Sequence, residues 1–335
     1  MKLGLIGAGR IGRMHGEVIT NQVAGAEIHA VSDVDMDGLK EWASFLGIKN
    51  VTNDYRDILK NGEIEGVLIC SSTNTHADFI IESAKAGKHI FCEKPIDFNV
   101  EKIELALDKV KEAGVMLQVG FNRRFDHNFK AVRDAVSNGE IGDVHIVKIT
   151  SRDPEPPPVE YIKVSGGLFL DMMIHDFDMA RYLSGSEVEE VFVNAAVLVD
   201  PAIGEAGDVD TAIVNLKFEN GAVGVIDNSR QAVYGYDQRV EVFGSKGMAA
   251  ADNDYPNTVQ VLTSERLSGD KPKYFFLERY KDAYASEIHA FVDAINNKQT
   301  PLVTGIDGLQ PVLIGLAADK SLKENRPVRI DEILK

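Results

Sequence analysis

Lys2-Leu-Gly-Leu-Ile-Gly7-Ala-Gly9-Arg-Ile-Gly12 is the stretch on which the reading of this chain turns. A short apolar run, Lys2–Ile6, leads straight into Gly-x-Gly-x-x-Gly, and Gly12–Gln22 continues as a helix. Three spaced glycines alone are a weak signal. Between a strand and a helix they form the fingerprint of a dinucleotide-binding turn. Gly7 permits the tight turn, Gly9 lets the backbone approach a pyrophosphate, and Gly12 lets helix and strand pack closely. The helix N-terminus then meets the phosphate charge. The plainer reading is a glycine turn that only joins two elements. The flanking strand and helix weigh against it.

Working outward, the second strand, Ile28–Asp33, ends on a carboxylate. There Asp33 accepts hydrogen bonds from adenosine ribose hydroxyls and repels a 2′-phosphate, which favours NAD over NADP. Its plainer reading is a solvated strand-end residue. Asp35 reads as the cap of a helix over Asp35–Leu46. Gly66–Cys70, His89–Cys92 and Val115–Val119 read as further strands. His76–Ala86 and Val100–Ala113 read as helices stopped by Gly87 and Gly114. Single helices between strands mean right-handed crossovers and a parallel sheet.

The alternation then stops. Arg124–Ser137 reads as a helix and Val144–Ser151 as a strand. Asp153-Pro-Glu-Pro-Pro-Pro158 reads as a surface loop, because proline cannot pair inside a sheet. Leu168–Leu183 reads as a helix. Val188–Val197, Thr211–Phe218, Ala222–Asn228, Gln238–Phe243 and Thr258–Leu262 read as strands, with Glu219-Asn-Gly221 as a hairpin turn. Ala285–Asn296 and Asp307–Lys323 read as closing helices. A chain of 335 residues is long for one core. The expected class is α/β: an NAD-binding Rossmann domain with a parallel sheet over residues 1–121, then an α+β domain with a largely antiparallel open sheet over 122–335.

A net charge of −16 repels phosphate backbones and anionic membranes, so neither nucleic acid nor a membrane surface is an expected partner. A small neutral ligand fits more simply. No window holds about 18 consecutive apolar residues, the minimum for a membrane span. The N-terminal apolar run is too short for a signal peptide. The two cysteines, Cys70 and Cys92, sit in apolar strand-like runs and make neither a zinc site nor a disulfide framework. A reducing cytoplasm and no metal are therefore expected.

Two segments carry candidate chemistry. Glu93-Lys94-Pro95 follows a strand, and ligands of open parallel sheets bind beyond the carboxyl ends of strands. Lys94 is either a group at that mouth or an exposed lysine. Pro95 restricts the backbone, and a cis bond is open to it. In the second segment Asp171, His175 and Asp178 stand at i, i+4 and i+7, which share one face of an α-helix. A carboxylate one turn from an imidazole can orient it and support its protonated form. The alternatives are a satisfied polar pair tying the helix to a neighbour, or a metal site that lacks a second histidine. Asp176 points elsewhere and reads as a surface or buttressing residue. Asn122, Arg123 and Arg124 are either ligand contacts or boundary ion pairs. Tyr234, Tyr236 and Arg239 are weaker contact candidates, with packing favoured. None of the nine tyrosines is followed four residues later by lysine, which excludes the short-chain dehydrogenase arrangement.

GAGRIG at 7–12, EKP at 93–95, GGLFLDMMIHDFDMARYLSG at 166–185 and the final helices together resemble the Gfo/Idh/MocA oxidoreductases over essentially the whole chain. The EKP and DxxxH pairing is more specific than the glycines. GFNRRFD at 120–126 and MIHDFDMARYL at 173–183 are most similar to the bacterial members that oxidise inositol. The resemblance implies that Lys94, Asp171 and His175 are catalytic, with His175 as base. It also implies a substrate role for Asp178, an NAD cofactor, and a homotetramer packed through the open sheet. Arg10, Ile11, Ser71, Thr73, Asn74, His76, Glu93 and Lys94 join Gly7, Gly9, Gly12 and Asp33 as expected cofactor contacts. Asn122, Arg124, Tyr234 and Tyr236 join Asp178 as expected substrate contacts. The expected reaction is NAD-dependent oxidation of a polyol hydroxyl to a ketone, foremost myo-inositol to 2-keto-myo-inositol. A dehydrogenase or reductase of scyllo-inositol or another sugar is the alternative. A non-catalytic NAD(P)-sensing regulator is a different-class alternative, against which the intact Lys94, Asp171 and His175 argue.

Overall fold

The computed structural model describes Met1–Leu334. The chain begins with β1 (Lys2–Ile6), α1 (Arg10–Gln22), β2 (Glu27–Ser32), α2 (Leu39–Phe45), β3 (Asn50–Thr52), α3 (Tyr55–Lys60), β4 (Gly66–Ile69), α4 (His76–Lys85), β5 (His89–Glu93), α5 (Val100–Ala113) and β6 (Leu117–Gly120). These six strands form one parallel sheet in the order β3-β2-β1-β4-β5-β6. That is the Rossmann order, with the switch point between β1 and β4. Every residue of β4 and β6 is buried, as continuous apolar runs in a doubly covered parallel sheet should be. The Asn99 side chain accepts from Lys102 N to start α5, and Gly114 ends it in the left-handed region at φ 67°.

The second part runs α6 (His127–Ser137), β7 (Val144–Arg152), α7 (Val159–Ser165), α8 (Ile174–Ser184), β8 (Val188–Ala196), α9 (Pro201–Glu205), β9 (Thr211–Phe218), β10 (Val223–Ser229), β11 (Asp237–Gly244), β12 (Met248–Ala251), β13 (Gln260–Leu262), β14 (Leu267–Gly269), α10 (Phe276–Arg279), α11 (Lys281–Asn297), α12 (Gly305–Glu324) and β15 (Val328–Arg329). Its seven-stranded sheet has the order β12-β11-β7-β10-β9-β8-β15. Only the β7–β10 pair is parallel. Burial alternates along β9, so this sheet covers a core on one face and leaves the other open.

The chain divides into two compact units, and the division is not a single cut. Unit one holds Met1–Phe125 and Asp282–Val312; unit two holds Asp126–Lys281 and the chain from Leu313 onward. Ile288, Phe291 and Val292 of α11 pack with Leu3, Leu5, Leu68 and Phe91 in one core. A boundary at 121/122 therefore misses a return of the chain to its first unit. Linear reading has no signal for it, because α11 looks like any amphipathic helix.

Other elements differ from expectation for local reasons. The Asp35–Leu46 helix begins only at Leu39, after Gly38 at φ 67°. Asp35 is not its cap; its carboxylate accepts from Asp37 N within the turn. The short β3 and α3, and α7 after the prolines, carry too few residues for a periodic signal. In place of one strand at Thr258–Leu262 there is an exposed hairpin of β13 and β14.

Candidate functional site

In unit one, steric demands explain two of the three fingerprint glycines. Gly7 lies at φ 91°, and a Cβ there would sit 2.6 Å from the Cys70 carbonyl carbon. A Cβ on Gly12 would sit 2.0 Å from Gly7 O. Gly9 is different: a Cβ there meets nothing within 4 Å, so its space is open. Arg10 is exposed and Ile11 half-buried at the start of α1. Asp33 follows β2 directly. Its Oδ2 accepts from Ala8 N at 2.5 Å and its Oδ1 from Asp35 N at 2.9 Å. The carboxylate is thus fixed against the glycine loop, and each oxygen keeps a lone pair for a ribose hydroxyl. An open cradle at Gly9, a helix N-terminus and an anchored acid at the end of β2 are the donor set that NAD requires.

Beyond β4, Ser71 Oγ and Thr75 Oγ1 lie 2.7 Å apart, and Thr73 and Asn74 fall in a single 3₁₀ turn over Thr73–Thr75. His76 is buried, with Nδ1 at 2.8 Å from Pro95 O and Nε2 at 2.9 Å from Ser71 O. Burial pushes its pKa down, and the two carbonyl contacts pull the other way. With both ring nitrogens against backbone carbonyls, His76 braces the loops beyond β4 and β5. Glu93 ends β5, Lys94 follows half-buried, and the Lys94–Pro95 bond is cis. Asn122 is buried with its Nδ2 lacking a hydrogen-bond partner among the described residues. Arg124 is also buried. Its Nη2 donates to Asp307 at 2.9 Å, and Asp307 in turn accepts from Thr304 N and Oγ1. Arg124 therefore fastens the start of α12.

In unit two the 166–184 segment is not one α-helix. Residues Leu168–Met172 form a π-helical turn, closed by Met173 N donating to Leu168 O at 2.8 Å, and α8 follows. The start of the turn is held from outside the segment. Gly167 lies at φ 70°, and Asp208 accepts from Leu168 N at 3.1 Å. A π turn rotates less per residue than an α turn, so Asp171 and His175 align more closely than α geometry alone implies. They are the half-exposed polar residues in a segment whose Leu168, Phe169, Met172, Met173, Ile174 and Phe177 are all buried. Tyr161 of α7 donates to Asp171 Oδ1 at 3.1 Å. Asp178 is buried, with Arg181 Nη1 at 3.7 Å. Asp176 is buried too and accepts from Asn228 Nδ2 at 3.0 Å, so it is a buttress and not a surface residue.

Both tyrosine candidates have partners within unit two. Tyr236 is buried edge-on against Tyr280, with ring centroids 6.0 Å apart. Tyr234 donates to Asp237 at 2.5 Å and accepts from Arg152 at 3.0 Å. Burial and the Asp237 charge push its phenol pKa up. Sequence reasoning missed Tyr161, Asp208 and a buried group made by His15 and Glu287. Only His15 left a trace, as a histidine on the apolar stripe of α1.

Residues 1–121 match the oxidoreductase family with an NAD-binding Rossmann fold, and residues 129–250 match the GFO/IDH/MocA C-terminal domain. The chain is 55% identical to the uncharacterized oxidoreductase YrbE of Bacillus subtilis, over 98% of this chain and 96% of that one. It is 51% identical to the myo-inositol 2-dehydrogenase of Thermotoga maritima over 100% of both chains. Among solved structures, scyllo-inositol dehydrogenase from Lactobacillus casei with bound NAD(H) and scyllo-inositol superposes at a TM-score of 0.92, with 32% identity over 99% of each chain. Fold order, fingerprint geometry and these full-length likenesses agree: the chain belongs to the GFO/IDH/MocA family of NAD-binding oxidoreductases.

Proposed function

We propose that this protein is an NAD-dependent dehydrogenase that oxidises myo-inositol to 2-keto-myo-inositol. The observation that carries the substrate is the 51% identity, without terminal gaps, to a protein named for that activity. When bound, NAD⁺ supplies the acceptor for the carbinol hydride. His175 takes the hydroxyl proton as the carbonyl forms. Asp171 orients the imidazole and offsets the charge it gains. Lys94 hydrogen-bonds the reacting oxygen and steadies the charge that develops there. Asp33 selects NAD through the ribose hydroxyls. The half-exposed placement of Asp171 and His175 supports their role, since proton transfer needs groups that can be reached. The deciding experiment is NADH formation across myo-inositol, scyllo-inositol, chiro-inositol, glucose and xylose. Strong turnover with myo-inositol alone is expected; preference for another member reassigns the substrate, and silence with NAD still bound moves the reading to a sugar derivative outside the panel or to a non-catalytic regulator.

The same reading makes the protein a cytoplasmic homotetramer that packs through the open sheet of unit two. Met248, Phe243, Ile146 and Val223 are exposed and are successive register partners across β12, β11, β7 and β10. An apolar row four strands wide on a sheet face is surface that a neighbouring subunit would cover. Phe243→Lys is expected to yield smaller species in analytical ultracentrifugation; an unchanged mass would place the contact elsewhere.

A further inference from the structure

Three titratable side chains of unit one meet in a dry pocket that the reaction as described does not use. His15 projects from α1, Glu93 from the end of β5 and Glu287 from α11. His15 and Glu287 are fully buried, and the Glu93 side chain is 14% exposed. His15 Nε2 lies 2.7 Å from Glu93 Oε1 and 4.0 Å from Glu287 Oε1. Phe91 and Tyr284 wall the imidazole edge-on, at centroid distances of 5.2 and 5.7 Å. Gly120 lies beneath the Glu93 carboxyl, where a Cβ would come within 3.1 Å. Both oxygens of Glu287 lack hydrogen-bond partners among the described residues.

Burial has a price for every charge in such a pocket. It pushes the Glu287 carboxyl well above the usual range, and the nearby Glu93 adds to the push. Both causes favour the protonated form of Glu287. His15 is set against the Glu93 carboxyl at 2.7 Å. The contact has the length of a direct hydrogen bond.

We propose that His15 is a positioning residue: it anchors the Glu93 carboxylate and so holds the Glu93-Lys94-Pro95 turn that presents Lys94. The inference rests on the catalytic role of Lys94 proposed above. Glu93 is backbone-adjacent to Lys94, so a carboxylate fixed between α1 and Gly120 limits where the next residue can point. A group misplaced by a fraction of an ångström loses transition-state contact more than it loses substrate binding. His15 thus reports on turnover and not on NAD affinity.

The experiment is a double-mutant cycle between His15→Leu and Lys94→Ala, read as kcat and KM with NAD affinity measured separately. His15→Leu is expected to lower kcat about tenfold with KM and NAD affinity little changed, the pattern of a lost transition-state contact. In the Lys94→Ala background the same change is expected to cost less than about twofold, because coupled residues are not additive. His15→Gln, whose amide can still donate to Glu93, is expected to restore most of kcat. Equal losses in both backgrounds, or a wild-type kcat in His15→Leu, would overturn the proposal. Full turnover in Lys94→Ala alone would instead remove the Lys94 reading. If His15→Leu does not fold, Glu93→Gln takes its place in the cycle, read on kcat alone because Glu93 is itself an expected cofactor contact: a loss of about tenfold that shrinks below about twofold in the Lys94→Ala background is expected, and equal losses in both backgrounds would overturn the proposal.

Discussion

The glycine turn at residues 7–12 and the helical segment at 166–184 were both recognised by spacing, yet spacing means different things in the two. In the glycine turn Gly7 and Gly12 each have a steric reason that their own neighbours impose. Gly12 faces Gly7 O, and Gly7 faces the end of β4. Any chain with that strand and that helix needs those glycines. In the second segment the i, i+4, i+7 pattern assumed an α-helix, and the first turn is π. What starts it is Gly167 in the left-handed region, and its free first N–H, Leu168 N, is taken up by Asp208, forty residues away in sequence. A local steric rule is legible in one dimension; a π turn and its distant capping acceptor are not.

The sharpest way to break this comparison is to remove function on each side while leaving the fold alone. His175→Ala is expected to lower kcat by at least about 10²-fold, the low end for a general base, with NAD affinity unchanged. Stopped-flow NADH formation and a fluorescence titration of the cofactor separate the two. A variant that turns over normally would show that the reachable imidazole is not the base.

On the cofactor side the contrast is between two glycines of one motif. Gly9→Ala meets nothing within 4 Å, so its melting temperature is expected to match the parent while NAD affinity falls about tenfold or more, as befits a methyl placed where the pyrophosphate approaches. Gly12→Ala puts its methyl 2.0 Å from Gly7 O and is expected to destabilise the fold even without cofactor. Equal melting temperatures for both variants would mean that the turn can relax and that the steric account is wrong.

Asp33→Ser tests a smaller effect. The carboxylate is anchored by two backbone N–H groups, so removing it loosens the glycine loop as well as the ribose contact. The ratio of kcat/KM for NAD over NADP is expected to fall roughly tenfold, about 1.5 kcal/mol, the lower range for a hydrogen bond to a charged group. An unchanged ratio would assign cofactor choice to other residues.

How far the sequence carries can be judged residue by residue. The six-stranded order follows from alternating elements, and the fingerprint from Gly7, Gly9, Gly12 and Asp33. Lys94, Asp171 and His175 stand out because polar residues in apolar surroundings need a reason. His76 and Arg124 stand out equally, and the structure spends them on Ser71, Pro95 and Asp307. A buried polar group looks the same in sequence whether it holds a ligand or a loop. Glu287 left no trace at all, since one glutamate on an amphipathic helix is ordinary until the fold turns it inward.

That last residue supplies the finest test, because it acts through protons alone. Burial first, and the charge of Glu93 second, hold its carboxyl pKa above the unfolded value. The native state thus keeps a proton that the unfolded chain releases above about pH 4.3. A raised acid gives stability that is whole below the unfolded pKa and is lost as pH rises through the folded one. Glu287→Gln has the shape of the neutral acid and no proton to lose. Its melting temperature is expected to approach that of the parent near pH 4 and to exceed it by a few degrees at pH 8, the gap widening steadily between. A gap that stays constant with pH, or that closes as pH rises, would mean that Glu287 is charged in the folded protein. Glu93 would then share the pocket's negative charge, and the steric and electrostatic contrast between the glycine turn and its dry interior would have to be redrawn around a charged Glu287.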